Sequence, residues 1–179
     1  MNILILGGGG REHALAWAVL QNPKCDLLVV APGNAGIAEI ATCAELDINN
    51  GPEVVAFAEE HAIDFVIVGP EAPLAAGVSD VLRSAGFTVF GPSKAAAALE
   101  ASKAFTKEVC DAAGAPTAAW ARFTDAETAK EHVRVEGAPI VIKADGLAAG
   151  KGVVVAMTED EALDALDDMF GGAFGTAGA

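Results

Sequence analysis

Short apolar runs separated by segments of helical spacing fill the first half of the chain. Asn2 to Leu6 reads as a buried strand running directly into Gly7-Gly8-Gly9-Gly10, and a helix is expected from about Arg11 to Gln21, stopped by Asn22-Pro23. Asp26 to Ala31 is a second strand, ending in the turn Pro32-Gly33-Asn34. A short helix near Ile37 to Ala41 and a short strand from Glu45 to Ile48 follow. Glu53 to His61 is expected to be helical, with Pro52 suited to its first turn. Asp64 to Val68 is a further strand, ending in Gly69-Pro70-Glu71-Ala72-Pro73-Leu74. Ala76 to Ala85 reads as a helix, and Phe87 to Phe90 as a strand ending in Gly91-Pro92-Ser93. Strands alternating with helices over short connections predict a parallel sheet with right-handed crossovers, and a first domain over residues 1–92.

The texture changes after that. Lys94 to Ala113 is alanine-rich and predicts two helices meeting near Ala101-Ser102, the core of a helical segment over residues 93–116. Residues 117–179 form a third region. In it Thr124-Asp125-Ala126-Glu127 is a capping-box sequence for a helix to about Val135. Pro139 to Lys143 and Gly152 to Ala156 are two β-branched runs around a glycine-bearing loop, which predicts a long-looped hairpin. Thr158-Glu159-Asp160-Glu161 is a second capping box, with Leu163, Leu166 and Phe170 on one helical face and Gly171-Gly172 as the stop.

Composition narrows the class. The chain has 179 residues, 53% hydrophobic, with 20 glycines, which fits a globular α/β protein. A net charge of −14 argues against nonspecific binding to nucleic acid or an anionic membrane. It leaves small anionic ligands open, because local loops outweigh net charge at a site. Cys25, Cys43 and Cys110 form no C-x-x-C pair, which points to reduced thiols in a cytoplasmic setting. No stretch approaches the roughly 20 apolar residues of a membrane span.

Three constellations carry candidate chemistry. The glycine run places backbone N–H groups and a helix N-terminus at one spot, which favours an anion. A dinucleotide fingerprint starting at Gly7 would need glycine or alanine where Glu12 stands, and Ala31 ends the second strand where an acidic residue would hold ribose. The glycines also permit close helix–strand packing with no ligand at all. The second constellation is the set of strand ends at Gly33-Asn34, Glu71 and Gly91, the edge at which open α/β sheets bind ligands. Glu71 there suits sugar hydroxyls, or is an exposed turn residue or helix cap. The third is lysine: Lys143 ends an apolar strand, where a charge is costly without an anionic partner, while Lys103 and Lys107 share a helix face. The hairpin tip, with Lys151, suits a polyphosphate but is not a Walker A loop, since Gly152 and a strand follow the lysine. No metal cluster can be assembled from His13, His61, His132 or the acidic run Glu159 to Asp168.

Five separated motifs then carry a resemblance. They are Gly9-Gly10-Arg11-Glu12-His13-Ala14, Ala31-Pro32-Gly33-Asn34-Ala35-Gly36, Val68-Gly69-Pro70-Glu71-Ala72-Pro73-Leu74, Ser102-Lys103-x-Phe105-x-Lys107, and Val141 through Leu147 to Gly150-Lys151-Gly152-Val153. In this order they resemble the phosphoribosylamine–glycine ligase (glycinamide ribonucleotide synthetase) family of ATP-grasp enzymes of purine biosynthesis. The implied fold is α/β: a parallel Rossmann-like, pre-ATP-grasp domain, a helical linker, and a partial ATP-grasp small subdomain. The resemblance implies ligation of glycine to 5-phosphoribosylamine through a glycyl phosphate, with ATP and Mg²⁺ as cofactors.

Carried onto this chain, it places the phosphoribosylamine pocket at Gly9, Gly10, Arg11, Glu12, Gly33, Asn34, Glu71, Pro73 and Gly91. ATP contacts fall on Lys103, Lys143, Gly146, Leu147, Gly150, Lys151 and Gly152. Metal ligands are expected outside this chain, and the expected partners are small molecules met by a monomer. Gly8 departs from the family, whose members often carry a polar residue there, and backbone contacts are expected to survive the change. The family's chain is more than twice as long, so these residues are expected to be a fragment inactive alone. A non-catalytic nucleotide- or sugar-phosphate-binding module is the rival reading.

Overall fold

The computed structural model describes residues 1–147 and 152–172. They fall into two compact units, Met1–Ala97 and Ala98–Ala179. In the first, β1 (Asn2–Gly7), β2 (Leu27–Pro32), β3 (Thr42–Cys43), β4 (Phe65–Val68) and β5 (Thr88–Phe90) form one five-stranded sheet in the order β3-β2-β1-β4-β5. Every pairing is parallel. The connecting helices are α1 (Gly10–Leu20), α2 (Ala35–Ala38), α3 (Gly51–Glu60), α4 (Glu71–Ala76) and α5 (Val78–Ser84).

The strands read as unbroken apolar runs because both faces of the sheet are covered. Period-two alternation divides each run between two cores. Leu4 and Leu6 of β1 join Val29, Val54, Ala58, Val66, Val78 and Leu82 beneath α3 and α5. Ile3 and Ile5 join Ala16, Leu28, Val30, Ile37 and Ile67 beneath α1 and α2. Each fully buried leucine or isoleucine contributes about 1.5–3 kcal/mol.

Two expected elements shift. The strand expected over Glu45 to Ile48 is replaced by β3, where Thr42 and Cys43 pair with Val29 and Val30. Leu46 and Ile48 instead pack on the core from the irregular segment between β3 and α3. The single helix expected over Ala76 to Ala85 is two helices, because Gly77 takes φ 94° between α4 and α5. Helix α4 starts at Glu71 despite its proline at position 73, since first-turn N–H groups need no intrahelical partner.

Helix α6 (Lys94–Ala101) crosses the boundary between the units. The second unit holds α7 (Lys103–Ala113), α8 (Ala126–Glu136), the antiparallel hairpin β6 (Ile140–Lys143) and β7 (Val153–Ala156), and α9 (Glu159–Phe170). Helix α8 is capped by Asp125, whose carboxylate accepts the Thr128 N–H at 2.9 Å, one residue later than the expected Thr124. Aspartate is as good a cap as threonine or better, so the start moves to it. Thr158 and Glu161 form the expected capping box at α9. Helices α8 and α9 cover one face of the hairpin through Ala129, Val133, Ile142, Ala156, Leu166 and Met169. Among the described residues no helix is long and apolar enough to cross a membrane.

Candidate functional site

The sheet's switch point lies between β1 and β4, where the chain leaves one half of the sheet for the other. Loops at the carboxyl ends of three strands meet there and are joined by backbone bonds. The Gly33 N–H donates to the Gly7 carbonyl at 3.1 Å, and the Gly69 N–H to the Leu6 carbonyl at 3.0 Å. The Asn34 side chain donates to the Gly8 carbonyl at 2.8 Å and accepts the Ile37 N–H at 2.9 Å, capping α2 while tying the loops after β1 and β2 together. Gly8 sits so close to this turn that a Cβ would lie 2.4 Å from the Gly33 carbonyl oxygen. A side chain at position 8 therefore requires the Gly33 turn to move, whereas with glycine there the Asn34 side chain bonds to the Gly8 carbonyl.

Arg11, on the first turn of α1, crosses the switch point. One nitrogen donates to the Gly69 carbonyl at 2.6 Å and another to Glu71 Oε1 at 3.0 Å. Glu71's own amide and the Arg11 guanidinium hold the Glu71 carboxyl below the usual carboxylate range. Both side chains keep about half their surface open, so the pair presents a cation and an anion side by side to an incoming ligand. Gly9, Gly10, Gly33, Asn34 and Gly91 lie at the same sheet edge. Two candidates do not present surface there. Glu12 is buried, its carboxylate accepting the Gly9 N–H at 2.7 Å, and Pro73 is fully buried within α4.

In the second unit the root of the hairpin loop docks on the start of α7. Asp145 accepts the Lys103 N–H at 2.6 Å, the Ser102 hydroxyl at 3.1 Å and the Gly146 N–H at 3.1 Å. Burial alone would raise its carboxyl, but these bonds and the Ala104 amide outweigh that and hold it below the usual range. The Lys103 ammonium donates to the Gly146 carbonyl at 2.9 Å, which uses one of its three donors. Sequence reading placed Lys103 and Gly146 in one site but overlooked Asp145, which joins them. Its signal was an aspartate directly after an apolar strand and before glycine. On the hairpin, Lys143 pairs with Val153 and Val141 with Val155, and all four are exposed on the face away from α8 and α9. Leu147 is also exposed and Gly152 is buried, while Gly150 and Lys151 lie outside the described residues.

Residues 1–100 match the family described as phosphoribosylglycinamide synthetase, N domain, and residues 101–179 match its ATP-grasp (A) domain. The chain is similar to phosphoribosylamine–glycine ligase of Agrobacterium fabrum, at 64% identity over 99% of this chain and 42% of that protein. It is also similar to the Rhizobium meliloti ligase, at 62% identity over 100% of this chain and 42% of that protein. The crystal structure of phosphoribosylamine–glycine ligase from Thermotoga maritima matches with a TM-score of 0.74 at 26% identity, over 99% of this chain and 41% of that one. The biotin carboxylase domain of Hydrogenobacter thermophilus 2-oxoglutarate carboxylase shares the fold, with a TM-score of 0.74 at 20% identity, over 99% of this chain and 42% of that one. The chain thus spans 42% of the length of the curated relatives it matches. From its glycine loop to its hairpin, it belongs to the phosphoribosylglycinamide synthetase family.

Proposed function

We propose that the polypeptide carrying this chain joins glycine to 5-phosphoribosylamine, as the names of its relatives state for those proteins. ATP supplies the phosphoryl group that converts the glycine carboxylate to glycyl phosphate, and the amine of phosphoribosylamine then displaces phosphate to form the amide. Positioning and electrostatic stabilisation supply the catalysis, with no covalent enzyme intermediate. The observation that carries the reading is Arg11 bridging to Gly69 and Glu71 across the switch point. Glu71 would accept the ribose hydroxyls, while Arg11 and the Gly10 amide would meet the phosphate. In the second unit Lys103 and Lys143 would draw negative charge from the ATP phosphates, and the exposed valines of β6 and β7 would cover the base. Asp145 would hold Lys103 and Gly146 in place.

Among the described residues no group of three or more His, Cys, Asp or Glu side chains is placed to hold a metal ion. No step is routed through Mg²⁺ here. The three cysteines are free, which supports a cytoplasmic setting.

Titration calorimetry with ribose 5-phosphate tests the first site. The Glu71→Ala variant is expected to bind about tenfold more weakly, the effect of losing hydrogen bonds to a charged group. Unchanged affinity removes Glu71 from the site.

A further inference from the structure

Among the described residues Glu12 is the one buried charged side chain, with 4% of its surface exposed. Burying a carboxylate is costly unless hydrogen bonds replace water, and an apolar residue would satisfy packing alone at lower cost. Its partner is the Gly9 N–H at 2.7 Å, the half of a capping box that a glycine N-cap permits. Three glycines close around the side chain. A Cβ at Gly7 would lie 2.6 Å from its Cγ, one at Gly9 2.9 Å from Oε2, and one at Gly69 2.3 Å from Oε1. Gly7 ends β1 and Gly9 lies in the turn after it, which leads to Arg11, whereas Gly69 belongs to the loop after β4, which leads to Glu71.

We propose that Glu12 is a positioning residue for the strand-end cleft: without touching the ligand, its carboxylate fixes the spacing of two loops and so pre-forms the Arg11–Glu71 pair. Because the carboxylate occupies the Gly9 amide, that amide is not a donor for the ligand phosphate. The same carboxylate fills the place that a dinucleotide-binding loop keeps empty with glycine or alanine, so the loop rejects a pyrophosphate there. The proposal rests on the reading of this cleft as a sugar-phosphate site.

Ribose 5-phosphate is titrated by calorimetry into the wild-type chain and into the Glu12→Gln, Glu12→Asp and Val54→Ala variants, with circular dichroism melts in parallel. Glutamine keeps an oxygen for the Gly9 N–H, and E12Q is expected to stay within about threefold of wild type. Aspartate is one methylene short, and E12D is expected to bind about tenfold more weakly or worse. Val54 lies in the core on the opposite face of the sheet from α1, so V54A should lower the melting temperature and leave affinity in place. If E12D does not fold, Gly69→Ala pushes on the same carboxylate from the other loop and should give the same loss. Wild-type affinity in folded E12D or G69A overturns the positioning role, as does an equal loss in V54A. A wild-type chain that does not bind ribose 5-phosphate overturns the cleft reading itself, and the positioning role with it.

Discussion

Asp145 shows how one carboxylate can organise a loop. Its folded-state carboxyl lies below its ordinary value, about 4 in an unfolded chain. A group depressed on folding contributes stability that is present in full above the unfolded value and is lost as pH falls through the folded one. Protection of the β6 and β7 amides against hydrogen exchange should therefore weaken as pH drops below about 4. Asp145→Asn keeps an oxygen for the Lys103 N–H but removes the titration, so it should flatten that dependence, apart from the share due to Asp125, which Thr128 also holds low. Asp145→Ala removes the whole set of bonds and should cost about 1–3 kcal/mol. An Asp145→Asn variant with the wild-type acid profile would show that the charge is irrelevant.

Among the elements, the hairpin is asymmetric in a way that bears on ligand binding. One face is sealed by α8 and α9, while the other shows Val141, Val153 and Val155 beside Lys143. Apolar surface next to a cation suits a nucleotide, whose base is apolar on its faces and whose phosphates are anionic. Lys143→Ala and Val155→Asp should each raise the ATP concentration needed for half-maximal activity in the family-length protein by about tenfold, with the maximal rate less affected. An unaltered ATP dependence in both would reduce this face to a structural surface.

Strands β1, β2, β4 and β5 and the hairpin could be read from the sequence because apolar, β-branched runs leave a direct pattern, whereas the two-residue β3 was too short to leave one. Helix α4 could not, since Pro70 and Pro73 mark a turn by every local rule while also suiting a helix's first turn. Arg11 and Glu71 were legible as polar residues in glycine turns. Their pairing was not, because it spans 60 residues of sequence. Glu12 was read as a misfit to a dinucleotide loop and as a pocket residue, not as a buried carboxylate between two loops. Its burial against Gly69 depends on a register that the sheet alone sets.

For the molecule as a whole, the net charge of −14 disfavours polyanions in general, so phosphate-bearing ligands must be selected by local donors. The described cations at the two candidate sites are Arg11 in one unit, held by the Gly69 carbonyl and Glu71, and Lys103, held by the Gly146 carbonyl, and the exposed Lys143 in the other. The chain covers 42% of the length of its curated relatives, and the proposed function places a phosphoribosylamine site and the start of an ATP site in these 179 residues. The most direct test places them in the corresponding segment of the Agrobacterium fabrum ligase and measures ADP formation. ADP is expected only when glycine and phosphoribosylamine are both present, and the Glu71→Ala hybrid is expected to need about tenfold more phosphoribosylamine. A folded hybrid that makes no ADP above the rate with ATP alone, while the parent ligase does, would contradict it.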